Sequence, residues 1–478
     1  MKNSGQSSSQ PIVSRLRRDL GTIESYAALI GILIGAGIFK VTSQAWSLTG
    51  PSVILGYVVL MPAVLATSVP YTAYLSTPLG LEPGGEYSHI SRTFGGYKIA
   101  YIGAWLKIIS YIGAGAFLSD TLADYLIQFF GGQPGPGRLH LALAIAGLLI
   151  FYLVHVVGVR WFGRIQVTMC ALLGLSILVL VVPGLFHLRA ANYQPFITHG
   201  LKGFSASLVL LFFSYAGFES LAQTAGEVKD STRRLPLIFL KGITATALIF
   251  VLMSVVSFGV LPGYRLQASS APMSDVASVY LPWGAAAFVT LGAIMALTTS
   301  LNATLIVPSR LAIMFVEDRL APSWVGFVNA RTGTPIRAIT LTLFGCLALL
   351  VSKQMALALN IAVFALVLLY FLHSLAFLLL PRWNPELWRA VTVNIPAWLQ
   401  RSAAVLSLVA MSILIAVEVS QDSATLRTQT LSERMAKHSL TGLELAVVWA
   451  LVGVALYAYA RWIQNRERLR TGMRPGAS

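Results

Sequence analysis

Two short stretches of this 478-residue chain carry groups that can bind a solute where a helix would otherwise be closed. The first is Gly31-Ile32-Leu33-Ile34-Gly35-Ala36-Gly37-Ile38-Phe39, with three glycines in seven positions. Each glycine costs a helix about 1 kcal/mol relative to alanine, so the run predicts an interruption at Gly35–Gly37. The second is Phe213-Ser214-Tyr215-Ala216-Gly217-Phe218-Glu219, which sets a glycine, two hydroxyls and a carboxylate in apolar surroundings. Opening a helix inside lipid frees N–H and C=O groups, at several kcal/mol each unless something pairs them. A zwitterion supplies the missing partners. Its carboxylate accepts from N–H groups at the start of a half-helix, where the dipole is positive, and its ammonium donates to freed carbonyls. A packing role is the simpler reading of Gly31 and Gly35, which form a GxxxG face. Packing requires neither Gly37 nor the second interruption.

The elements around these stretches are apolar. Hydrophobic residues make up 56% of the chain and charged residues only 11%, where a soluble domain carries about 25% charge. Too little charge remains to cover a water-facing surface, and disorder is excluded for the same reason. Apolar runs of helix length recur, and they lack the alternation of a membrane β-barrel. The expected fold is an all-α polytopic membrane protein with twelve spans, near 22–46, 51–76, 94–128, 139–158, 163–186, 203–223, 237–261, 283–315, 337–352, 356–380, 401–420 and 441–463. Gly37 and Gly217 lie five spans apart. Interrupted segments at matching places in two halves point to a transporter site built from inverted repeats. The predicted organisation is a tail at 1–21, a five-helix repeat at 22–188, a second, inverted repeat at 203–380, accessory helices at 401–463 and a basic tail at 464–478.

Charge gives the orientation. Of the 34 Lys and Arg residues, 24 fall on the side of the termini and 8 on the other, with Lys40 and Lys107 inside spans. The positive-inside rule then makes both termini cytoplasmic. The same bias accounts for the net charge of +16 without nucleic acid, and the basic tails suit anionic lipid headgroups. The first 20 residues have no apolar core of the kind a cleavable signal peptide needs. Cys170 and Cys346 lie in apolar runs and imply no disulfide framework. No HExxH, Walker A or CxxC pattern occurs, so neither an enzyme, a metal site nor a cofactor is expected.

Four patterns carry a resemblance. They are Ile34-Gly35-Ala36-Gly37-Ile38-Phe39; Gly80-Leu81-Glu82-Pro83-Gly84-Gly85-Glu86-Tyr87 with Arg92-Thr93-Phe94-Gly95; Phe213–Glu219 with Gly226-Glu227-Val228-Lys229-Asp230; and Ser309-Arg310 through Asp318-Arg319-Leu320-Ala321-Pro322 to Thr334-Pro335. In this order, from about Gly21 to Ala338, the chain resembles the amino acid–polyamine–organocation (APC) superfamily of permeases. The resemblance implies an inverted five-plus-five helix repeat of the LeuT-like type, two accessory helices, and secondary transport of an amino acid by alternating access. It places N–H groups near Ala36, Gly37 and Ile38 on the substrate carboxylate. The carbonyls of Leu33, Phe213 and Ala216 fall on the amine, and Phe213 becomes an aromatic gate. Ser110 falls in the side-chain pocket, where relatives selective for cations can carry an acid. A serine there favours a neutral substrate, because a buried cation would lack its counter-charge.

Coupling residues follow from charge and from the resemblance together. Lys107 is an intramembrane cation, expected to pair with Glu219 or another acid, as structure or as part of the coupling. Lys40 is a second intramembrane cation, and it can also snorkel to the interface. Glu219 reads as a proton carrier, an inner-gate partner or a brace for the broken helix. Related carriers hold Na⁺ between spans 1 and 8 or set a span-5 lysine there. Leu173 takes the lysine position here, and Thr299 and Ser300 are the available sodium ligands. Sodium is therefore disfavoured, and proton coupling, exchange and facilitated diffusion stay open. The alternatives are a polyamine or amine carrier, and a non-transporting amino-acid sensor on the same fold.

Overall fold

The computed structural model describes residues 16–35, 37–133, 135–269, 272–352, 355–436 and 440–471. Those residues fold almost entirely into helices: α1 (Thr22–Leu33), α2 (Thr42–Thr49), α3 (Val53–Leu75), α4 (Glu86–Phe94), α5 (Lys98–Phe129), α6 (Arg138–Val157), α7 (Val159–Gly184), α8 (Gly200–Tyr215), α9 (Ser220–Gln223), α10 (Ser231–Val260), α11 (Gly263–Ala268), α12 (Pro272–Ser278), α13 (Trp283–Glu317), α14 (Ile336–Val351), α15 (Met355–Trp383), α16 (Pro385–Arg389), α17 (Ala397–Thr428), α18 (Leu431–Ala436) and α19 (Gly442–Thr471). The one non-helical pairing recorded among them is a bridge between Leu20 and Val228.

Eleven helical segments among the described residues are long and apolar enough to cross a membrane. The apolar helix α14 is shorter, with 16 residues. At 1.5 Å per residue it covers about 24 Å, less than the roughly 30 Å of a bilayer's hydrocarbon core. The exterior is greasy, as lipid demands. Val405, Val409 and Ile413 of α17 and Val448 and Leu451 of α19 stand exposed.

The long helix α5 runs through the centre and packs against α13, α15, α6 and α4. Helix α1 packs against α7, α10 and α13. Both expected interruptions are present. Helix α1 stops at Leu33, Ile34 turns away at φ −84° and ψ 59°, and the chain resumes as a wide turn over Gly37–Val41 before α2. Helix α8 stops at Tyr215. Ala216 is extended, and Gly217 takes φ +106°, a value that L side chains rarely adopt. The chain then re-coils as α9 and a tight turn at Ala225–Glu227.

Between α3 and α5 the chain makes a detour on the basic face. Thr77 caps a turn by accepting from the Leu79 N–H, and Gly84 and Gly85 take φ +102° and +47°. The reversal delivers α4, whose first residue, Glu86, points into the bundle and is buried. Arg310 lies within α13 and is buried. Its side chain finds an acid inside the protein, which is why a helix interior accepts it.

Candidate functional site

The two broken helices open on one cavity of about 50 Å³. Leu33, Gly35 and Gly37 line it from the first break, and Phe213, Ser214, Ala216 and Gly217 from the second. Ser110, Tyr111, Ala114 and Leu118 of α5, Ser300 and Thr304 of α13, and Leu366 of α15 complete the wall. Gly37 allows the two breaks to meet: a Cβ there would lie 2.6 Å from the Ser214 Cα. Above the cavity, the Tyr57 hydroxyl bonds Thr42 Oγ1 at 2.7 Å and Ser214 Oγ at 3.1 Å, tying α2, α3 and α8 together. The Phe213 ring packs edge-on against Phe117 at 6.2 Å.

Beside the cavity lies a buried triad of charges. Lys107 Nζ donates to both oxygens of Glu86, at 3.0 and 2.8 Å, and stands 3.6 Å from Glu219 Oε1. All three side chains are buried. Neutral donors hold the two carboxylates. Tyr71 donates to Glu86 Oε1 at 2.5 Å and Gln223 to Oε2 at 2.6 Å. Tyr111 donates to Glu219 Oε1 at 2.6 Å, while the Gly217 N–H at 3.0 Å and the Tyr370 hydroxyl both serve Oε2. The formal charge is one negative, spread over oxygens that are each hydrogen-bonded, and such pairing is the condition for burying it. Tyr111 and Gly217 also line the cavity, so Glu219 lies one hydrogen bond from whatever fills it.

A second polar seam joins α1, α7 and α13. Thr299 donates to the Gly31 carbonyl at 3.0 Å, and Ser300 donates to Gly31 and Ile32 at 2.9 and 3.0 Å. The Gln166 amide reaches the carbonyls of Ala27 and Thr299, each at 3.2 Å, and accepts from Asn302 at 2.8 Å. Neutral donors thus occupy the carbonyls at the end of the first half-helix. Leu173, further along α7, is a buried core residue.

The basic face is closed by two ion pairs. Arg310 grips Glu227 with two bonds, at 3.1 and 2.6 Å, deep in the protein. The Glu227 carbonyl accepts from the Leu20 N–H at 3.0 Å, and the Leu20 carbonyl accepts from Lys229 at 2.9 Å, so the segment before α1 is latched to the same turn. Nearer the surface, Arg92 pairs with Asp318 at 3.1 Å, and Tyr87 donates to Asp318 at 2.6 Å. Burial, and then the Asp318 charge, push the Tyr87 hydroxyl well above its ordinary range. Burial also lifts the neighbouring Glu82 carboxyl, against the pull of Arg92.

The structure therefore gathers Leu33, Gly35, Gly37, Ser110, Phe213, Ala216, Gly217 and Ser300 around one space. Ile38 is buried next to it without lining it, and Thr299 stands behind it in the seam. Ala36 and the Lys40 side chain lie outside the described residues. Ser110 does not bond within its own helix; it donates across to the Ala362 carbonyl at 2.9 Å. Lys107 does meet Glu219, but its nearer acid is Glu86.

A sequence model of amino acid permeases matches residues 20–460. The chain belongs to the amino acid permease family. It is similar to a branched-chain amino acid permease of Bacillus subtilis, with 24% identity over 78% of this chain and 83% of that one. A methylthioribose transporter of the same organism is 25% identical over 70% and 75%. Cationic amino acid transporter 1 of Arabidopsis thaliana is 28% identical over 66% of this chain and 54% of that protein. The chain spans about half the length of the Arabidopsis relatives it matches. Membership in a transporter family agrees with the lack of catalytic motifs in the sequence.

Several residues of this permease site had no visible role in the sequence. Glu86 sits in the Gly-Gly-Glu-Tyr run quoted above, yet only the fold carries it to Lys107. Gln166 and Asn302 are single amides in apolar helices, a pattern with no spacing signal. Tyr71 and Tyr370 read as ordinary core aromatics until their hydroxyls are seen on the two acids.

Proposed function

We propose that this permease is a secondary carrier that moves a neutral amino acid across the cytoplasmic membrane by alternating access. The carrying observation is the single cavity onto which both broken helices open. Two inverted five-helix repeats, 22–188 and 203–380, plus two accessory helices at 401–463, with both termini cytoplasmic, fit the two breaks and the charge bias. The substrate carboxylate sits on N–H groups at Ala36–Ile38 and the amine on the carbonyls of Leu33, Phe213 and Ala216. The Phe213 carbonyl already accepts from Ala216 at 3.1 Å and keeps a second lone pair. Among the described residues that line the cavity none is acidic, which supports a neutral substrate. The nearest acid, Glu219, is occupied by Lys107, two tyrosines and a backbone amide.

A cavity of about 50 Å³ holds a few waters, at 10–15 Å³ of probe volume for each. Substrate entry therefore requires the Tyr57 and Arg310 closures to open in turn. Filling the cavity strains Tyr111 and Gly217, and through them Glu219. This linkage makes Glu86–Lys107–Glu219 the coupling centre, with a proton as the coupling ion. The hydroxyls of Thr299 and Ser300 already occupy the span-1 carbonyls that sodium would need.

The test is counterflow in proteoliposomes with neutral and cationic amino acids and polyamines. Labelled neutral amino acid should accumulate against its unlabelled internal form, and Gly37→Leu should abolish this without preventing insertion. Accumulation of lysine alone, a cationic amino acid as in the names of the Arabidopsis relatives, or of spermidine alone would replace the neutral reading. Equilibration without accumulation would indicate a channel.

A further inference from the structure

A much larger cavity, about 790 Å³, lies away from the carrier site, between α5, α13, α14 and α19. Its far end is a locked pair of indoles. Trp105 and Trp449 stack at 4.8 Å and 6°, and each N–H donates to the other's backbone carbonyl, at 3.0 and 2.9 Å. Gly453 makes room for this pair, since a Cβ there would lie 2.5 Å from the Trp105 ring. Ile108, Phe315 and Leu341 make the walls apolar. Leu341 is 46% exposed, so the cavity opens sideways on the greasy exterior.

The mouth, on the basic face, is cationic. Arg319 lines it, is exposed, and makes no ion pair through its guanidinium among the described residues. Beside the mouth, Arg461 donates to a neutral partner, Gln464 Oε1, at 3.0 Å, and makes no ion pair among the described residues. Gln464 in turn donates to the Arg319 carbonyl at 2.6 Å, which holds the two arginines at one place. Arg319 closes α13 at φ +59°, a position that glycine usually takes. A large charged residue is thus kept in a conformation unfavourable to it, at the rim of an apolar groove. The acids beside it are engaged: Asp318 with Arg92 and Tyr87, and Glu317 with a partner of its own.

We propose that this groove binds an anionic phospholipid, with its phosphate at Arg319 and Arg461 and an acyl chain running up to the Trp105–Trp449 pair. Charge complementarity selects the occupant. Guanidinium forks match phosphate oxygens, and among the described residues no carboxylate lines the groove to meet the ammonium of a zwitterionic headgroup. The inference rests on the membrane-spanning fold and not on the choice of substrate. A lipid here would staple α19 to α5 and α13, the helices that carry Lys107 and the Thr299–Ser300 seam.

The experiment is native mass spectrometry of the full chain, released from bilayers of equal phosphatidylglycerol and phosphatidylcholine. One phosphatidylglycerol should be retained in preference. The pair Arg319→Gln and Arg461→Gln should lower its retention roughly tenfold, the worth of one charge-assisted hydrogen bond. Leu341→Trp, at an exposed position where folding is not at risk, should block the groove and remove the bound lipid. Equal retention of phosphatidylcholine would overturn the proposal. So would phosphatidylglycerol retention unchanged in both variants, or a lipid-free dimer. Transport activity does not enter the readout, so a wrong substrate assignment cannot mimic any of these results.

Discussion

Replacing Lys107 with methionine removes the cation that stands between two buried acids. The distances of 2.8 Å to Glu86 and 3.6 Å to Glu219 set the scale. At an effective dielectric of about 20 they correspond to attractions of about 6 and about 5 kcal/mol. Desolvation of three charges offsets most of that, so the intact triad adds little net stability. Removing the central partner is different, because it leaves two carboxylates facing each other in a dry interior. Breaking a buried pair in this way costs about 3–5 kcal/mol. Unfolding of Lys107→Met in detergent, followed near neutral pH and again near pH 5, measures the loss. It should be larger at the higher pH and shrink as pH falls, because burial holds the Glu86 carboxyl above its ordinary range, and once protonated that carboxyl needs no cation. Adding Glu86→Gln should recover at least half of the loss, since Glu219 alone keeps Tyr111, Tyr370 and the Gly217 N–H. A Lys107→Met variant as stable as the parent at both pH values would refute the reasoning. So would a second substitution that adds a full, independent loss.

Two further outcomes follow from other parts of the structure. Gln166→Leu strips hydrogen bonds from the Ala27 and Thr299 carbonyls and from Asn302. At about 1–3 kcal/mol for the buried Asn302 amide left without its acceptor, it should lower the unfolding midpoint, and Gln166→Glu should lose at least as much, because a carboxylate keeps the Asn302 bond but faces the two carbonyls as a buried charge without a partner. For Glu82, burial raises the folded-state pKa above that of the unfolded chain. The folded state then binds the proton more tightly. Stability falls as pH rises through that window, and the penalty is complete above the folded value. Glu82→Gln should therefore raise the thermal midpoint near neutral pH, with no gain below about pH 4, where both states are protonated.

The sequence made the breaks legible because backbone chemistry wrote them there: glycine spacing at residues 31–37, and a glycine followed by an acid at 217–219. It made the membrane class legible through composition. Of the two acids that Lys107 meets, Glu219 was legible and the nearer, Glu86, was not. Glu86 lies 21 residues away in a detour between helices, and only the positive-φ turn at Gly84–Gly85 aims it inward. Ser110 lines the cavity, but its hydroxyl is used on Ala362, 252 residues away, a contact that no local pattern encodes. The polar seam was half visible. Thr299 and Ser300 stood out as oxygen ligands, while Gln166, which fills the same seam from α7, looked like one amide among leucines.

The most direct test is a structure of the carrier with the transported amino acid bound. The account predicts the ligand between residues 33–37 and 213–217, its carboxylate on backbone N–H groups past the first break, with Glu219 still bonded to Tyr111. An amino acid found elsewhere, with both helices wound continuously past Gly35 and Gly217, would contradict it.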